Sequence, residues 1–273
     1  MLISDLREIF IALLAGLAQG VLEWLPISSK TVLLMIFLSY GLSPSSSYAL
    51  GLLLNGVTAA AAIIYFMDEI RGMLSQVRKP LASSEEASLL RFLLISTGIT
   101  GVVAAPLAGL SLRILEAFGN LSLLMIGSLL ALTALMAWIR ERRGRYGGRE
   151  SPRSVDALIA GLAQGLSALP GISRSGVTIL ALLLLGYSPS ASLKLSFLMS
   201  IPVTIGGSAF AYLIAPSIPV GIGFAGIILS SIIALISSIF VISTMLRISQ
   251  RVRASIFALI LSSMALAAYI LMT

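Results

Sequence analysis

The chain contains no cysteine and no histidine. The first absence excludes disulfides, thiolate metal sites and cysteine nucleophiles. The second removes the commonest general base and the commonest metal ligand, so any chemistry must rest on carboxylates, hydroxyls, Arg, Lys and backbone groups. Charge is scarce as well: Asp, Glu, Lys and Arg make up 11% of 273 residues, against 58% hydrophobic ones and a mean hydropathy of +1.05. No soluble surface can be built from that composition, and an all-α integral membrane protein is expected. The net charge of +7 in such a chain reports orientation in a bilayer rather than nucleic-acid binding.

Clean apolar spans run from Tyr48 to Met67, Ser88 to Leu110, Gly119 to Ile139, Ser192 to Ala215, Pro219 to Met245 and Ala254 to Leu271, predicting six transmembrane helices. Two other apolar stretches are interrupted in the middle. The first runs over residues 9–40 and is broken by Glu-Trp-Leu-Pro-Ile-Ser-Ser-Lys at 23 to 30; the second runs over 155–186 and is broken by Pro-Gly-Ile-Ser-Arg-Ser-Gly at 170 to 176. Arms of about 10 to 15 residues reach only about 15 to 22 Å as helices, short of the hydrocarbon core. They read as re-entrant hairpins, with a proline-kinked ordinary helix as the alternative for either break alone. Irregular backbone at membrane depth is tolerated where it is buried in protein or lines a polar cavity, so both tips point to a site.

The chain also repeats itself. Ala-Gly-Leu-Ala-Gln-Gly at 15 to 20 recurs at 160 to 165, and the same 145-residue shift pairs Ile27-Ser28 with Ile172-Ser173, Gly41 with Gly186, and Ser43-Pro44-Ser45 with Ser188-Pro189-Ser190. This is a duplicated unit. One hairpin plus three crossings is an odd count, so the second copy is expected upside down, an inverted-topology repeat. The predicted division is a first repeat over 1–139, a basic loop over 140–154 and a second repeat over 155–273.

Alternating sides from the N-terminus brings together Asp68 to Ala87, Arg140 to Ser154 and Arg247 to Arg253, which hold twelve of the eighteen Lys and Arg residues. That face is predicted to be cytoplasmic, with both termini outside the plasma membrane. Asp5, Arg7 and Glu8 lead into the repeated unit with no small-residue cleavage site, so no removable signal is expected.

Glu23 is the only one of the eleven carboxylates inside a hydrophobic segment. An intramembrane ionisable group is a functional-site hypothesis by default; the alternative is a structural carboxylate neutralised by Lys30 or Arg174. Arg174, at the second tip, carries a planar fork suited to phosphate oxygens, or else it pins the hairpins together. Ser28 and Ser29 precede one returning arm, and Ser173 and Ser175 precede the other. Capping accounts for one serine per tip. Helix N-termini rich in free N–H groups, with Lys30 and Arg174 beside them, make an anion site matched to a phosphate or diphosphate, most naturally a lipid head group.

Glu-Trp-Leu-Pro-Ile-Ser-Ser at 23 to 29 and Pro-Gly-Ile-Ser-Arg-Ser-Gly at 170 to 176, set in repeats 145 residues apart, resemble the undecaprenyl-diphosphate phosphatase family, also known for conferring bacitracin resistance. The resemblance covers essentially the whole chain. It implies removal of the terminal phosphate from a polyprenyl diphosphate, regenerating the monophosphate carrier of cell-wall or glycan assembly. It also implies Ser29 as nucleophile, Glu23 as motif carboxylate and Arg174 as phosphate clamp. Gln19, Ser28, Lys30, Gly171, Ser173, Ser175 and Gly176 would then bind substrate. The family motif has two glutamates four residues apart, and here the first is Gln19; a Thr-Gly-His continuation is replaced by Lys30, Thr31 and Val32. Near Leu54, where the family has a glutamine, Asn55 is the stand-in. Mg²⁺ or Ca²⁺ is implied as cofactor, with Glu23 the one candidate ligand, or else Lys30 supplies that positive charge. The second functional reading is a catalytically degenerate polyprenyl-phosphate transporter or flippase. Membrane lipids are expected partners. The small-residue runs Gly206-Gly207 and Gly221 to Gly226 permit close helix contact, within the chain or in a homo-oligomer.

Overall fold

The computed structural model describes residues 6–118, 121–142, 148–169, 172–214 and 222–272. Asp5, Gly171, Gly221 and the middle of the basic loop lie outside them. The described chain is helical: α1 (Leu6–Leu22), α2 (Ser29–Ser39), α3 (Pro44–Tyr65), α4 (Met67–Ser75), α5 (Glu85–Phe118), α6 (Leu121–Arg142), α7 (Ser154–Leu166), α8 (Arg174–Leu184), α9 (Pro189–Ile214), α10 (Phe224–Ser249) and α11 (Ala254–Met272).

Among the described residues three helical stretches are long and apolar enough to cross a membrane: Glu85–Leu107, Phe224–Ser249 and Ala254–Leu271. A fourth arises if α3 and α4, which break at Phe66, count as one span. Large apolar side chains such as Phe10, Val102, Phe240 and Ile270 point outward, as lipid-facing residues do. The chain is a helical membrane protein. The predicted hairpin arms are four short helices, α1, α2, α7 and α8, each interrupted where the sequence breaks. Residues 68 to 87, assigned from the sequence only to the connection between two spans, contain α4, whose Asp68 and Glu69 occupy the first turn and favour its N-terminal dipole.

The 145-residue spacing recurs in the backbone. The bounds of α2 and α8 differ by 145 at both ends, and so do the starts of α3 and α9. Gly41 and Gly186 have φ of 98° and 86°, the left-handed conformation that glycine adopts without a Cβ clash. In the first copy the N–H of Gly41 donates to Leu38 O and that of Leu42 to Phe37 O; Gly186 and Tyr187 make the same bonds to Leu183 and Leu182. Both are Schellman ends. The next helix then opens identically: Ser43 Oγ accepts the Ser46 N–H, Ser188 Oγ accepts the Ala191 N–H, and a proline follows each cap at the first helical position, where its missing N–H costs nothing.

The helices fall into two compact units, each drawing on both halves of the sequence. The first unit holds α1, α2, α3 and residues 201–243. Its core packs Ile11, Ala15, Leu33, Phe37, Leu50 and Leu54. There α1 lies on α10: a Cβ on Gly16 would stand 2.5 Å from Ser230 O, and Ser238 Oγ donates to Gly20 O at 3.3 Å. The second unit holds α4 to α8, residues 189–200 of α9, α11 and the tip segment Leu25–Ile27. In it α7 lies on α5 in the same manner. A Cβ on Gly161 would stand 2.7 Å from Ser96 O, and Thr100 Oγ1 donates to Gly161 O at 3.1 Å. The repeated small residues thus serve close helix approach in both places. Nothing lies within 4 Å of where a Cβ would be on Gly206 or Gly207.

Candidate active site

In the first unit the break between α1 and α2 brings residues 23 and 29 together. Ser29 Oγ donates to Glu23 Oε2 at 2.6 Å, and both side chains are buried. Gln19, one helical turn before Glu23, donates from Nε2 to the same carboxylate oxygen at 3.2 Å and to Asn55 Oδ1 at 2.5 Å. Asn55 comes from α3, so three helices fix one polar chain: Asn55, Gln19, Glu23, Ser29. Such a chain in an apolar interior is favourable only when its members are satisfied. The carbonyl oxygen of Gln19 is fully buried and has no hydrogen-bond partner among the described residues. A serine bonded to a carboxylate is the arrangement by which a weak nucleophile is activated.

Ser28 is the N-cap residue of α2 without a side-chain cap bond; its Oγ accepts from Thr31 Oγ1 at 3.0 Å instead. Lys30 stands half-buried in the first turn of α2. Neither the Thr31 contact nor the part of Asn55 as Gln19's partner could be read from the motif alone.

In the second unit Ser173 caps α8 by accepting the Gly176 N–H at 3.2 Å. Its Oγ also donates to Leu25 O at 3.1 Å, and Ser175 Oγ donates to the same carbonyl at 2.5 Å. The two hydroxyls lie 3.2 Å apart. Ser173 and Ser175 therefore hold a backbone oxygen of the segment 25–27, a partner that side-chain reasoning does not reveal. Gly176 fits the same junction, because a Cβ there would stand 3.3 Å from the Cα of Pro26. Arg174 is buried, with Nη1 donating to Ser196 O at 3.3 Å. Thr178 Oγ1 accompanies it, donating to Arg174 O at 2.8 Å and lying 2.5 Å from Ser196 Oγ. Gly171, predicted to bind substrate, lies outside the described residues.

A further cluster in the second unit was not foreseen. Asp156 accepts the Tyr187 hydroxyl at 2.8 Å and pairs with the Arg149 guanidinium. Arg149 also exchanges backbone bonds with the Gly186 to Ser188 turn. Burial, then the Asp156 carboxylate, pushes the Tyr187 phenol above its ordinary value. The repeat held the signal: Asp156 occupies the position where the first copy has Ile11.

An "Undecaprenyl-diphosphatase" of Saccharolobus solfataricus is 36% identical over 97% of each chain. One of Saccharolobus islandicus is 38% identical over 89% of this chain and 88% of its own. One of Haloarcula marismortui is 40% identical over 74% of this chain and 76% of its own. The family described as Bacitracin resistance protein BacA matches residues 12–267. With residues 12–267 of its 273 matched, this chain belongs to the Bacitracin resistance protein BacA family.

Proposed function

We propose that this chain is a phosphatase that removes the terminal phosphate from a polyprenyl diphosphate of the undecaprenyl type, returning the lipid monophosphate to cell-wall or glycan synthesis. Family membership and the names of its relatives support hydrolysis of a diphosphate. The observation that carries the reading is the 2.6 Å bond from Ser29 Oγ to Glu23 Oε2. Glu23 takes the proton as Ser29 Oγ attacks the terminal phosphorus. The bond to the bridging oxygen breaks and the lipid monophosphate leaves. Water then cleaves the phosphoserine, releasing phosphate and restoring the hydroxyl. Gln19 and Asn55 hold the carboxylate in place.

Phosphoryl transfer depends mainly on positioning and on stabilising charge that develops on the phosphoryl oxygens. In this reading Arg174, Lys30 and the N–H groups opening α2 and α8 bind the diphosphate. Ser28, Ser173, Ser175, Gly171 and Gly176 complete the proposed substrate-binding set. Among the described residues no three Asp, Glu, His or Cys side chains gather. Glu23 and the Gln19 carbonyl oxygen, which has no hydrogen-bond partner among the described residues, are the groups that would hold a hard cation. Mg²⁺ or Ca²⁺ held there would neutralise diphosphate charge.

The membrane arrangement belongs to the same proposal. It comprises six spans, two re-entrant hairpins, inverted copies over 1–139 and 155–273, the basic face in the cytoplasm and both termini outside the plasma membrane. A tag within 140–154 should be inaccessible from outside intact cells. Phosphate release from polyprenyl diphosphate by purified protein tests the function. Wild type should release phosphate above a Ser29→Ala/Glu23→Gln double variant assayed with and without Mg²⁺; equal traces would leave no enzyme.

A further inference from the structure

The segment that leads into the α5 span turns three large apolar side chains outward: Leu74, Val77 and Leu81 are 64%, 55% and 87% exposed. It is nevertheless tied down along its length. Glu69 pairs with Lys194 at 3.2 Å, Met73 is buried, and Gly72 lies close against Glu86, whose Cγ would be 3.2 Å from a Cβ there. Arg91 holds the following turn by donating to Pro80 O at 2.5 Å, Ala82 O at 2.9 Å and Ser88 Oγ at 2.9 Å. The outward apolar side chains are therefore presented by a fixed framework.

Cations are interleaved with them. Arg71 faces Asp68 at 3.7 Å. Arg78 and Lys79 are exposed, and among the described residues no carboxylate pairs with either side chain. An exposed apolar ridge flanked by Arg78 and Lys79, which no described carboxylate pairs, beside the first turn of a membrane span at Glu85, has the chemistry of the bilayer interface. Alkyl groups gain by entering the boundary of the acyl region, while lysine and arginine reach back to phosphates. A protein partner would also bury the ridge, but the charge pattern and the neighbouring span favour lipid.

We propose that residues 71–81 form an interfacial anchor for anionic lipid: Leu74, Val77 and Leu81 enter the head-group boundary, and Arg78 and Lys79 bind lipid phosphates. This stands independently of the phosphatase reading. An anionic leaflet attracts such basic segments through its surface potential, which adds to apolar insertion.

Because the chain has no cysteine, single cysteines can be spin-labelled without removing any. Leu74→Cys, Val77→Cys and Leu81→Cys, with Glu150→Cys as water reference, would be placed in full-length protein in phosphatidylcholine vesicles with and without phosphatidylglycerol. The ratio of oxygen to nickel-chelate access should be several-fold higher at the three ridge positions than at residue 150. Phosphatidylglycerol should raise it further at Leu81→Cys, and Arg78→Gln/Lys79→Gln should abolish that rise. A ratio equal to that at residue 150 would overturn the proposal by showing a ridge in water. Low access to both reagents would overturn it by showing a protein contact, and indifference to phosphatidylglycerol would refute the anionic-lipid part. The three side chains are all more than half exposed, so their replacement leaves the fold intact, and each site reports separately.

Discussion

Ser29 donates to Glu23 Oε2 across the interruption between α1 and α2, two residues six apart in sequence and 2.6 Å apart in space. Neither helix alone could pair them; the turn over residues 23–28 does. If Glu23 takes the serine proton, Glu23→Gln should lower kcat for phosphate release by about 10²- to 10⁴-fold, the usual contribution of a general base. KM should change little, because the Gln amide can still accept from Ser29. Steady-state phosphate release decides it, and a Glu23→Gln enzyme with wild-type kcat would remove the base from the mechanism.

Gln19 stands where the polar chain branches, donating to Glu23 and to Asn55. Replacing it with Glu sets two carboxylates side by side, and like charges in one buried site are unfavourable unless a cation intervenes. Gln19→Glu should therefore show a sharper divalent-ion dependence than wild type, reaching half-maximal activity at lower Mg²⁺ and losing more on chelation. Matching Mg²⁺ titrations for the two proteins would count against a cation at this position.

The carbonyl of Leu25 accepts from both Ser173 and Ser175. Either alanine variant leaves it one donor, whereas the double variant leaves a buried acceptor unpaired, a loss of about 1–3 kcal/mol. Thermal unfolding in detergent should show a mild loss for Ser175→Ala, a larger one for Ser173→Ala, which also gives up its cap on the Gly176 N–H, and a double variant destabilised by more than their sum. Strict additivity would mean that the two hydroxyls do not share this acceptor.

How much of this was legible beforehand depended on whether side-chain type carries the information. Glu23 stands out because a charged residue in an apolar run is costly, whereas Ser29 as nucleophile and Gln19 as a site position rest on the family resemblance; the 145-residue shift locates equivalent caps and turns because serine, proline and glycine at fixed offsets encode them. The Leu25 clasp was invisible, since its acceptor is a backbone atom that every residue possesses. The helix α4 was missed for a different reason: residues 68 to 87 were placed only as a connection between two spans, on the strength of their basic residues. Asp68, Glu69 and Arg71 occupy the polar side of a short amphipathic helix whose Met73 is buried. Asp156, the second residue of the 155–186 stretch, reads by type as an ordinary span-end carboxylate; Ile11 at the equivalent place is the one sign that it departs from the repeat.

Gly16 and Gly161 are equivalent in the repeat and press on α10 and α5. Valine at either position should destabilise by about 1–3 kcal/mol or more, the cost of overpacking against backbone that cannot yield. Gly98, also helical but with nothing near its would-be Cβ, should accept alanine without loss. Comparable melting temperatures for Gly16→Val, Gly161→Val and Gly98→Ala would contradict the close packing assigned to the repeated motif.

The Tyr187 hydroxyl, bonded to Asp156 at 2.8 Å, makes stability depend on alkaline pH. Burial, reinforced by the neighbouring carboxylate, raises the phenol above its ordinary value near 10. The folded chain thus keeps this proton where the unfolded chain has lost it. The stability tied to the neutral phenol is full below the unfolded value and disappears as pH rises through the folded one. Wild type should be more stable than Tyr187→Phe at neutral pH by about 1.5–3 kcal/mol, as for a hydrogen bond to a charged partner. That margin should shrink as pH climbs beyond about 10. Melting curves of both proteins from neutral to strongly alkaline buffer measure it; a margin constant across the series would show that the phenol proton is not what holds this turn.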